Sequence, residues 1–363
     1  MRQRSHVGSG RRIRILDLFC GAGGLSEGFK QATDRFITVQ AVEHDLSAAA
    51  TYAENHGHEV VYAGSIEGWL KDGDVPSADV IIGGPPCQGF SALGKQDMED
   101  ERNQLWLRYA DTIRRARPKY FILENVPAFL VSEQLQRFKR QCQPSSRLGE
   151  YTFTADVLNA ADFGAPQLRR RVILIGHHRD LPHPGFPEKT HAPDARLNLK
   201  DALAGLPQTV NQIELPNVWV ERWGKKLPGV FRTEQLHLTR YYEERSLERF
   251  AHVPPGGNRF NIKPELLPDC WKRHKTGSGD VMGRLHWDRP SITIRTEFYK
   301  PEKGRYLHPI EHRAITHHEA ARIQGFPDEY KWVGSKAAIA RQIGNAVPIP
   351  LAIALGKHLA GLF

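Results

Sequence analysis

Residues 13–24 read IRILDLFCGAGG, and this stretch is the strongest indication of the fold. The apolar run at residues 13–19 predicts a buried strand, and the glycine-rich loop CGAGG follows it directly. Residues 25–31 then have the apolar spacing of a helix. Glycines between a strand and a helix let a ligand approach the backbone amides at the helix N-terminus. The stretch therefore predicts the first strand, ligand loop and helix of an α/β domain.

The same alternation continues along the chain. Further strands are predicted at residues 36–42, 79–82, 120–123, 152–158 and 172–175, and further helices at residues 47–55 and 103–115. This order predicts an α/β fold with a doubly wound, mostly parallel sheet. Ligands of such sheets bind beyond the carboxyl ends of the strands. We therefore expect the CGAGG loop, Glu43, the GGPPC loop at residues 83–87 and Glu124 to surround one crevice.

Composition and length bound the organisation of the chain. Its 363 residues exceed what one hydrophobic core usually serves, so two domains or an inserted domain are expected. After residue 176 the periodicity weakens, and the chain becomes rich in Pro, Arg, His and Trp. We predict a flexible basic lead-in at 1–11, the first part of the α/β domain at 12–180, a small irregular domain at 181–283, and a return segment at 284–363 that completes the α/β domain.

Several classes of protein fit the sequence poorly. No apolar run approaches the ~18 residues of a membrane span, and the N-terminal residues lack the apolar core of a signal peptide. A cytoplasmic protein without membrane contact is expected. The four cysteines are scattered without a C-x-x-C pair, and the paired histidines at 177–178 and 317–318 match no metal spacing, so neither a disulfide framework nor a metal site is predicted. The net charge of +9 is compatible with a polyanionic partner but does not by itself indicate one.

The loop GPPCQGFS at residues 84–91 contains a candidate nucleophile. Two prolines before Cys87 and a glycine after it hold the thiol in a fixed position beyond a buried strand. A thiol needs thiolate character and exposure to react, and such a loop can provide both. Cys20 and Cys142 fit the alternative interpretation of a small buried apolar residue better.

A carboxyl group and two arginines are the next candidates. Glu124 ends the apolar run in FILENVP, where a partly desolvated carboxyl group could donate or accept a proton; the equally good alternative is a cap of the following turn. In QLRRR, strand alternation would place Arg169 and Arg171 on one face and Arg170 on the other. Two guanidinium groups on one side suit a phosphate or a base carbonyl, and the alternative is a solvated basic edge.

The glycine loop does not match the dinucleotide fingerprint G-x-G-x-x-G. Ser26 stands where the third glycine would be required, which disfavours a nicotinamide cofactor. Glu43, at the end of the second predicted strand, still suits an acceptor for a ribose hydroxyl group.

Together these segments resemble the DNA (cytosine-5) methyltransferases, over nearly the whole chain. DLFCGAGGLSEGF is similar to the first motif of that family, GGPPCQGFS to its catalytic loop, ENV to its glutamate motif and QLRRR to its Q-x-R-x-R motif. RAITHHEAARIQGFP is similar to the penultimate motif and QIGNAVPIPLA to the last. The motifs occur in the family's order and spacing.

The resemblance implies a Rossmann-like domain that uses S-adenosylmethionine, without a metal, to methylate carbon 5 of a cytosine turned out of duplex DNA. Cys87 would attack carbon 6 of the base, Glu124 would bind N3, and Arg169 and Arg171 would bind O2. The implied cofactor-binding residues are Phe19, Gly21, Gly23, Gly24, Glu43, Ser65, Pro85 and Asn345. The irregular domain would read DNA, with Arg222, Arg232, Arg240, Arg259, Lys272, Arg273 and His274 as candidate contacts.

One position departs from the family pattern. The family usually carries an acid in a G-D-I sequence that binds the adenine amino group, and this chain has Gly64-Ser65-Ile66. Two alternatives stay open at this point: a tRNA cytosine-5 methyltransferase of the same fold, and a catalytically impaired DNA-binding protein. The leading interpretation is a monomeric enzyme of a bacterial modification system, with double-stranded DNA as its partner and a cognate restriction endonuclease as a further one.

Overall fold

The computed structural model describes residues 10–86, 105–273 and 276–363. The strands are β1 (Ile13–Leu18), β2 (Phe36–Glu43), β3 (Val61–Ala63), β4 (Val80–Gly83), β5 (Tyr120–Asn125), β6 (Tyr151–Asn159), β7 (Gln167–Leu168), β8 (Arg170–His178), β9 (Trp219–Arg222), β10 (Lys225–Arg232), β11 (Ser291–Ile292) and β12 (Lys331–Val333). The helices are α1 (Gly24–Ala32), α2 (Leu46–His56), α3 (Ile66–Asp72), α4 (Leu105–Ala116), α5 (Glu133–Gln141), α6 (Leu199–Ala202), α7 (Glu244–Ala251), α8 (Asp269–Arg273), α9 (His317–Gln324), α10 (Lys336–Asn345) and α11 (Ile349–Ala360).

The main sheet has seven strands in the order β3-β2-β1-β4-β5-β8-β6. The strands from β3 to β5 are parallel, and only β8 runs antiparallel to its neighbours β5 and β6. This confirms the predicted doubly wound, mostly parallel α/β sheet. The chain reverses its direction of winding between β1 and β4, and such a switch point is where these sheets bind ligands.

Helices cover both faces of the sheet. On one face α3, α4 and α5 pack through Trp69, Tyr109 and Phe138. On the other face α11 packs against α1, and the contact is close because Gly28 has no side chain: a Cβ atom there would lie 2.2 Å from the Cβ of Ala352. The last helix thus lies directly on the first.

Helices on the main sheet begin at residues suited to capping. The side chains of Asp45, Ser65, Ser132 and Ser335 accept hydrogen bonds from amides in the first turns of α2, α3, α5 and α10. Asp and Ser are preferred at these positions because their oxygens satisfy an amide that has no partner within the helix. The polar residue directly before each of these helices therefore determines where it starts.

A second core lies beside the sheet. It combines Leu199 and Phe231 with Ile294, Trp332 and Ile343, and β12 pairs with β10. The core thus contains residues from both sides of position 283, and the predicted boundaries at 181 and 283 remain predictions. Much of the chain between residues 181 and 283 is irregular, and it contains a two-stranded hairpin of β9 and β10 and a small apolar cluster around Phe250.

No single helix within the described ranges is long and apolar enough to cross a membrane. Within the same ranges, α10 and α11 reach the length and apolar composition of a membrane span only when taken together, and the two helices are bent by 44° relative to each other. In the structure α11 packs into the core through Leu351, Leu355 and Leu359.

Candidate active site

The carboxyl ends of β1, β2, β4 and β5 lie side by side at one edge of the sheet. Leu18 of β1 lies beside Val42 of β2 and Gly83 of β4, and Gly83 lies beside Leu123 of β5. The loops that follow these strands therefore meet, as the sequence predicted. We call the space between them the crevice.

The first of these loops presents its backbone to the crevice at Gly21. Phe19 and Gly21 both have a φ of 55°, in the left-handed region. The Gly21 amide donates to Oε2 of Glu43 over 2.9 Å, and no described atom lies within 4 Å of the position that a Gly21 side chain would take. Phe19 is partly buried against the core of the sheet. The loop is thus fixed in place while its surface at Gly21 stays open.

Gly23 and Gly24 differ from Gly21 in their surroundings. A Cβ atom on Gly23 would lie 2.7 Å from Nε2 of His56, and one on Gly24 would lie 2.9 Å from the carbonyl oxygen of Val347. Glycine is required at these two positions because other parts of the protein pack against them. Their predicted contacts with a cofactor stay a prediction.

Glu43 connects the ends of β1 and β2. Its Oε2 accepts from Gly21, and its Oε1 accepts from the amide of Asp45 over 2.8 Å. The carboxyl group is buried, and its hydrogen bond to His44 raises the pKa of that imidazole. Oε1 also bonds to Nδ1 of His44, whereas Gly21 is the one described donor to Oε2, so Oε2 can still accept a hydroxyl group from a ligand in the crevice.

The loop after β4 is held against the end of β5. A Cβ atom on Gly84 would lie 2.8 Å from Oε2 of Glu124, and the Asn125 side-chain amide donates to the carbonyl of Pro85 over 3.1 Å. Cys87 lies outside the described residues, two positions after Pro85. The described part of the loop therefore brings the chain beside Glu124 immediately before the predicted nucleophile.

Arg171 is the arginine that contacts Glu124. Its Nε lies 2.8 Å from Oε1 of Glu124, and both side chains are mostly buried, with 14% and 13% of their surfaces exposed. A guanidinium and a carboxylate in this position neutralise each other while each keeps polar atoms for a further partner.

Arg169 makes different contacts from Arg171. Its two terminal nitrogens donate to the carbonyls of Ile294 and Gly344 over 2.7 and 2.8 Å. Burial, reinforced by the nearby charge of Arg171, lowers the pKa of Arg169 to about 9. Its terminal nitrogens bind the return segment rather than the crevice.

Gln167 makes contacts of the same kind. Its amide nitrogen donates to the carbonyl of Ile323 and to Oε1 of Gln324, over 3.0 and 2.7 Å. We call the contacts of the return segment with residues 167–169 and with the glycine loop (residues 20–24) the seam.

Two further predicted cofactor residues lie at the surface. Ser65 is exposed and accepts from the Gly68 amide over 3.1 Å as the cap of α3. Asp and Ser are both good caps, so serine preserves the start of this helix without the charge. Asn345 is exposed at the end of α10, next to Gly344, which packs on the backbone of Thr296.

Some of the predicted DNA contacts have partners within the protein. Arg222 forms an ion pair with Glu54 of α2, and Arg259 is buried and donates to the Gly277 carbonyl. Both are therefore poor candidates for phosphate binding. The remaining candidates with exposed or partly exposed positions are Arg232, Arg240, Lys272 and Arg273, and His274 lies outside the described residues.

Sequence reasoning missed Asp17. This residue is fully buried near the end of β1, and burial raises the pKa of its carboxyl group to about 8. Its Oδ2 accepts from Ser26, whose hydroxyl group also lies 2.7 Å from that of Tyr52, while Oδ1 has no partner among the described atoms. Ser26, interpreted from the sequence only as the residue in place of the third glycine of the dinucleotide fingerprint, is thus the hydrogen-bond partner of Asp17. An acid inside an apolar strand was the available signal.

The residues interpreted as structural are indeed buried. Cys20 and Cys142 are free thiols in the core, and burial raises the pKa of Cys142 to about 12. His317 and His318 bond to the Lys336 carbonyl and to Asp328. In the described ranges no three His, Cys, Asp or Glu side chains are grouped so as to hold a metal ion.

Comparison with known proteins identifies the family. The family model of C-5 cytosine-specific DNA methylases matches residues 13–361. The Type II methyltransferase M.XorII of Xanthomonas oryzae pv. oryzae is 33% identical, over 95% of this chain and 84% of the relative. The Type II methyltransferase M1.HphI of Haemophilus parahaemolyticus is also 33% identical, over 95% of this chain and 86% of the relative.

Solved structures of methyltransferases have a similar fold. A crystal structure from E. coli, described as a candidate DNA modification methyltransferase encoded within a prophage, has a TM-score of 0.71 and 26% identity, over 96% of this chain and 99% of that one. The Dnmt2 methyltransferase of S. pombe has a TM-score of 0.57 and 17% identity, over 95% and 97% of the two chains, and shows the shared fold. The chain is therefore a methyltransferase and belongs to the C-5 cytosine-specific DNA methylase family.

Proposed function

We propose that this protein transfers a methyl group from S-adenosylmethionine to carbon 5 of a cytosine flipped out of a specific sequence in duplex DNA. The observation that carries the proposal is the Glu124–Arg171 pair in the crevice, beside the loop that leads to Cys87. A carboxyl group next to a guanidinium matches the N3 and O2 edge of cytosine, where electron density increases when a nucleophile adds to carbon 6.

Cys87 is the proposed nucleophile. Its thiolate forms a bond to carbon 6 of the base, which makes carbon 5 electron-rich enough to take a methyl group. Loss of the carbon-5 proton and cleavage of the sulfur–carbon bond then restore the aromatic ring and the free thiol. A thiolate is needed because the neutral thiol is a poor nucleophile.

Glu124 and Arg171 stabilise the adduct in this proposal. The Glu124 carboxyl group bonds to N3 of the base, and a guanidinium nitrogen of Arg171 donates to O2. A hydrogen bond to a charged group contributes about 1.5–3 kcal/mol, and in a site shielded from water it is aimed at charge that develops during the reaction. Arg169 was also predicted to bind O2; its terminal nitrogens donate to two carbonyls of the return segment, and a contact with the base stays a prediction.

The crevice fits S-adenosylmethionine, which supplies an electrophilic methyl group when bound. The open backbone at Gly21 admits a ligand to the loop at the switch point, and the fixed carboxyl group of Glu43 can accept the ribose hydroxyl groups. Phe19, Ser65, Pro85 and Asn345 complete the proposed binding residues, with the backbone of Gly23 and Gly24.

DNA binding is assigned to the irregular region at residues 181–283. A cytosine inside a duplex cannot reach the crevice, so the base must be extruded at a cost of a few kcal/mol. The exposed basic residues of this region can bind phosphates that offset that cost. The proposal includes a monomeric, cytoplasmic enzyme and a cognate restriction endonuclease that acts on the same sequence.

The test is bisulfite sequencing of DNA from cells that express the chain, with Cys87→Ala as the matched inactive variant. We expect 5-methylcytosine in one sequence context with the wild type and none with Cys87→Ala, since removal of a nucleophile lowers turnover by about 10⁴-fold or more. Duplex DNA with 5-fluorocytosine in that context should form a covalent complex with the wild type alone. Methylation by the variant, or a complex that maps to another residue, would refute the assignment of Cys87.

A further inference from the structure

The glycine loop has two sides, and Tyr330 holds the side that faces away from the crevice. The Tyr330 hydroxyl group donates to the carbonyl oxygen of Ala22 over 2.5 Å, across 308 positions of sequence. It also lies 3.3 Å from Nε2 of His56 and 3.0 Å from the position that a Cβ atom would take on Gly23. On the other side, Gly21 is open to the crevice and bonded to Glu43.

The surroundings of Tyr330 fix this contact. Its ring packs against Phe326 and Trp332, with centroids 4.8 and 5.2 Å away. The residue is 3% exposed, and burial raises the pKa of its hydroxyl group well above the usual range, so the group remains a donor. The pKa of His56 is lowered to about 3 by burial, so the neighbouring imidazole adds no charge. A rigid, neutral donor therefore faces the Ala22 carbonyl.

The backbone of Tyr330 is held from the opposite direction. Its carbonyl oxygen accepts from the amide of Thr233 over 2.9 Å, and the Thr233 hydroxyl group accepts from the indole of Trp332 over 2.8 Å. Thr233 follows β10 in the region assigned to DNA binding. One residue of the return segment thus contacts the glycine loop with its side chain and the irregular region with its backbone.

We propose that Tyr330 is a positioning residue for the cofactor: its hydroxyl group sets the depth at which the glycine loop presents Gly21 to the crevice. This rests on the proposed binding of S-adenosylmethionine at that loop. Without the hydroxyl group, the buried Ala22 carbonyl loses its donor, and the hydrogen bonds that still hold the loop are those to Glu43 and to the Val42 carbonyl and those of its own backbone. The ligand must then pay for ordering the loop when it binds.

The variant Tyr330→Phe tests this, because it removes one oxygen and keeps the packed ring. Tyr151→Phe is the matched control: Tyr151 is equally buried, and its hydroxyl group donates to the Pro118 carbonyl over 3.0 Å at the amino end of the sheet. Two measurements apply to the full chain, the dissociation constant for S-adenosylmethionine by titration calorimetry and the hydrogen exchange of the peptide that spans residues 20–25 in the ligand-free protein.

We expect Tyr330→Phe to weaken cofactor binding about 5- to 30-fold and to speed exchange in that peptide. Tyr151→Phe should leave both within about twofold of the wild type, even where urea unfolding shows an equal loss of stability. Equal effects of the two variants, or exchange at residues 20–25 unchanged by Tyr330→Phe, would overturn the proposal. Failure of the wild type to bind S-adenosylmethionine would refute the proposed function instead, and the exchange comparison would still decide the role of Tyr330.

Discussion

The crevice and the seam are built from the same sequence motifs but use their polar groups differently. Arg171 faces Glu124 in the crevice, with atoms of both groups left for another partner, whereas Arg169, two positions earlier, donates to two backbone carbonyls in the seam. Gly21 is open, whereas Gly23 and Gly24 are covered. A motif of this family therefore combines residues placed for chemistry with residues that assemble the site. Variants in the crevice should lose activity first, and variants in the seam should lose stability first.

The largest difference is expected at Glu124. Glu124→Gln keeps the shape but removes the carboxyl group, and we expect the single-turnover rate to fall about 10²- to 10³-fold because a preorganised partner of the developing charge is lost. The free energy of unfolding should fall by no more than about 1–2 kcal/mol, since the side-chain oxygen of glutamine can still accept from Arg171 in this mostly buried pair. The measurements are single-turnover methylation and urea unfolding.

Glu150→Gln is the control, because Glu150 forms an exposed ion pair with Arg117 away from the crevice. Its turnover should equal that of the wild type. If Glu124→Gln turned over as fast as the wild type, Glu124 would have no role in catalysis and the proposed chemistry of the crevice would be wrong.

The opposite result is expected at Arg169. Arg169→Gln leaves the buried carbonyls of Ile294 and Gly344 with fewer donors, and each unsatisfied buried group costs about 1–3 kcal/mol. We expect unfolding in urea to be easier by about 2–3 kcal/mol. Arg170→Gln is the matched control, since the neighbouring Arg170 is exposed. If both variants are equally stable, Arg169 does not hold the return segment.

Asp17 should make the free energy of unfolding depend on pH. Burial raises the pKa of its carboxyl group to about 8, so the folded protein keeps a proton that the unfolded chain releases near pH 4. The stabilising contribution is thus complete at acid pH and is lost as the pH rises towards 8. Asp17→Asn, which is neutral throughout, should become more stable relative to the wild type by about 1 kcal/mol or more between pH 5 and pH 8. A constant difference in urea unfolding across this range would show that Asp17 is ionised in the fold.

The smallest effect is expected at Ser65. Ser65→Asp keeps the cap of α3, because Asp is as good a cap as Ser, and it introduces the acid that the family resemblance implies at this position. We expect S-adenosylmethionine to bind a few-fold more tightly by calorimetry, as for one charge-assisted hydrogen bond near solvent. An unchanged or weaker affinity would show that the adenine contact is made by other atoms.

The sequence predicted the parts of the molecule that depend on local pattern. The strands before the crevice begin and end within one or two residues of their predicted positions, and Glu43, Pro85 and Glu124 lie at the ends where alternation placed them. Alternation matches the burial of the arginines, since Arg169 is buried and Arg170 is exposed. It gave no indication that Arg169 would donate to the carbonyls of Ile294 and Gly344 in the return segment.

The seam could not be predicted from local pattern. Tyr330 and Ala22, or Arg169 and Gly344, meet only after the return segment folds back, and nothing in the spacing of either segment indicates the other. The roles of Gly23 and Gly24 have the same origin, since His56 and Val347 determine them. Asp17 was missed because its partner Ser26 was interpreted only as a departure from the dinucleotide fingerprint, which requires glycine at that position.

The distance along the chain between Tyr330 and Ala22 has a consequence for synthesis. A ribosome releases the glycine loop hundreds of residues before the hydroxyl group that braces it, and a contact of such long range closes late because of its entropic cost. The nascent chain therefore carries an unbraced loop during most of its translation. Full affinity for the cofactor should therefore be reached only near the end of elongation, when Tyr330 has left the ribosome.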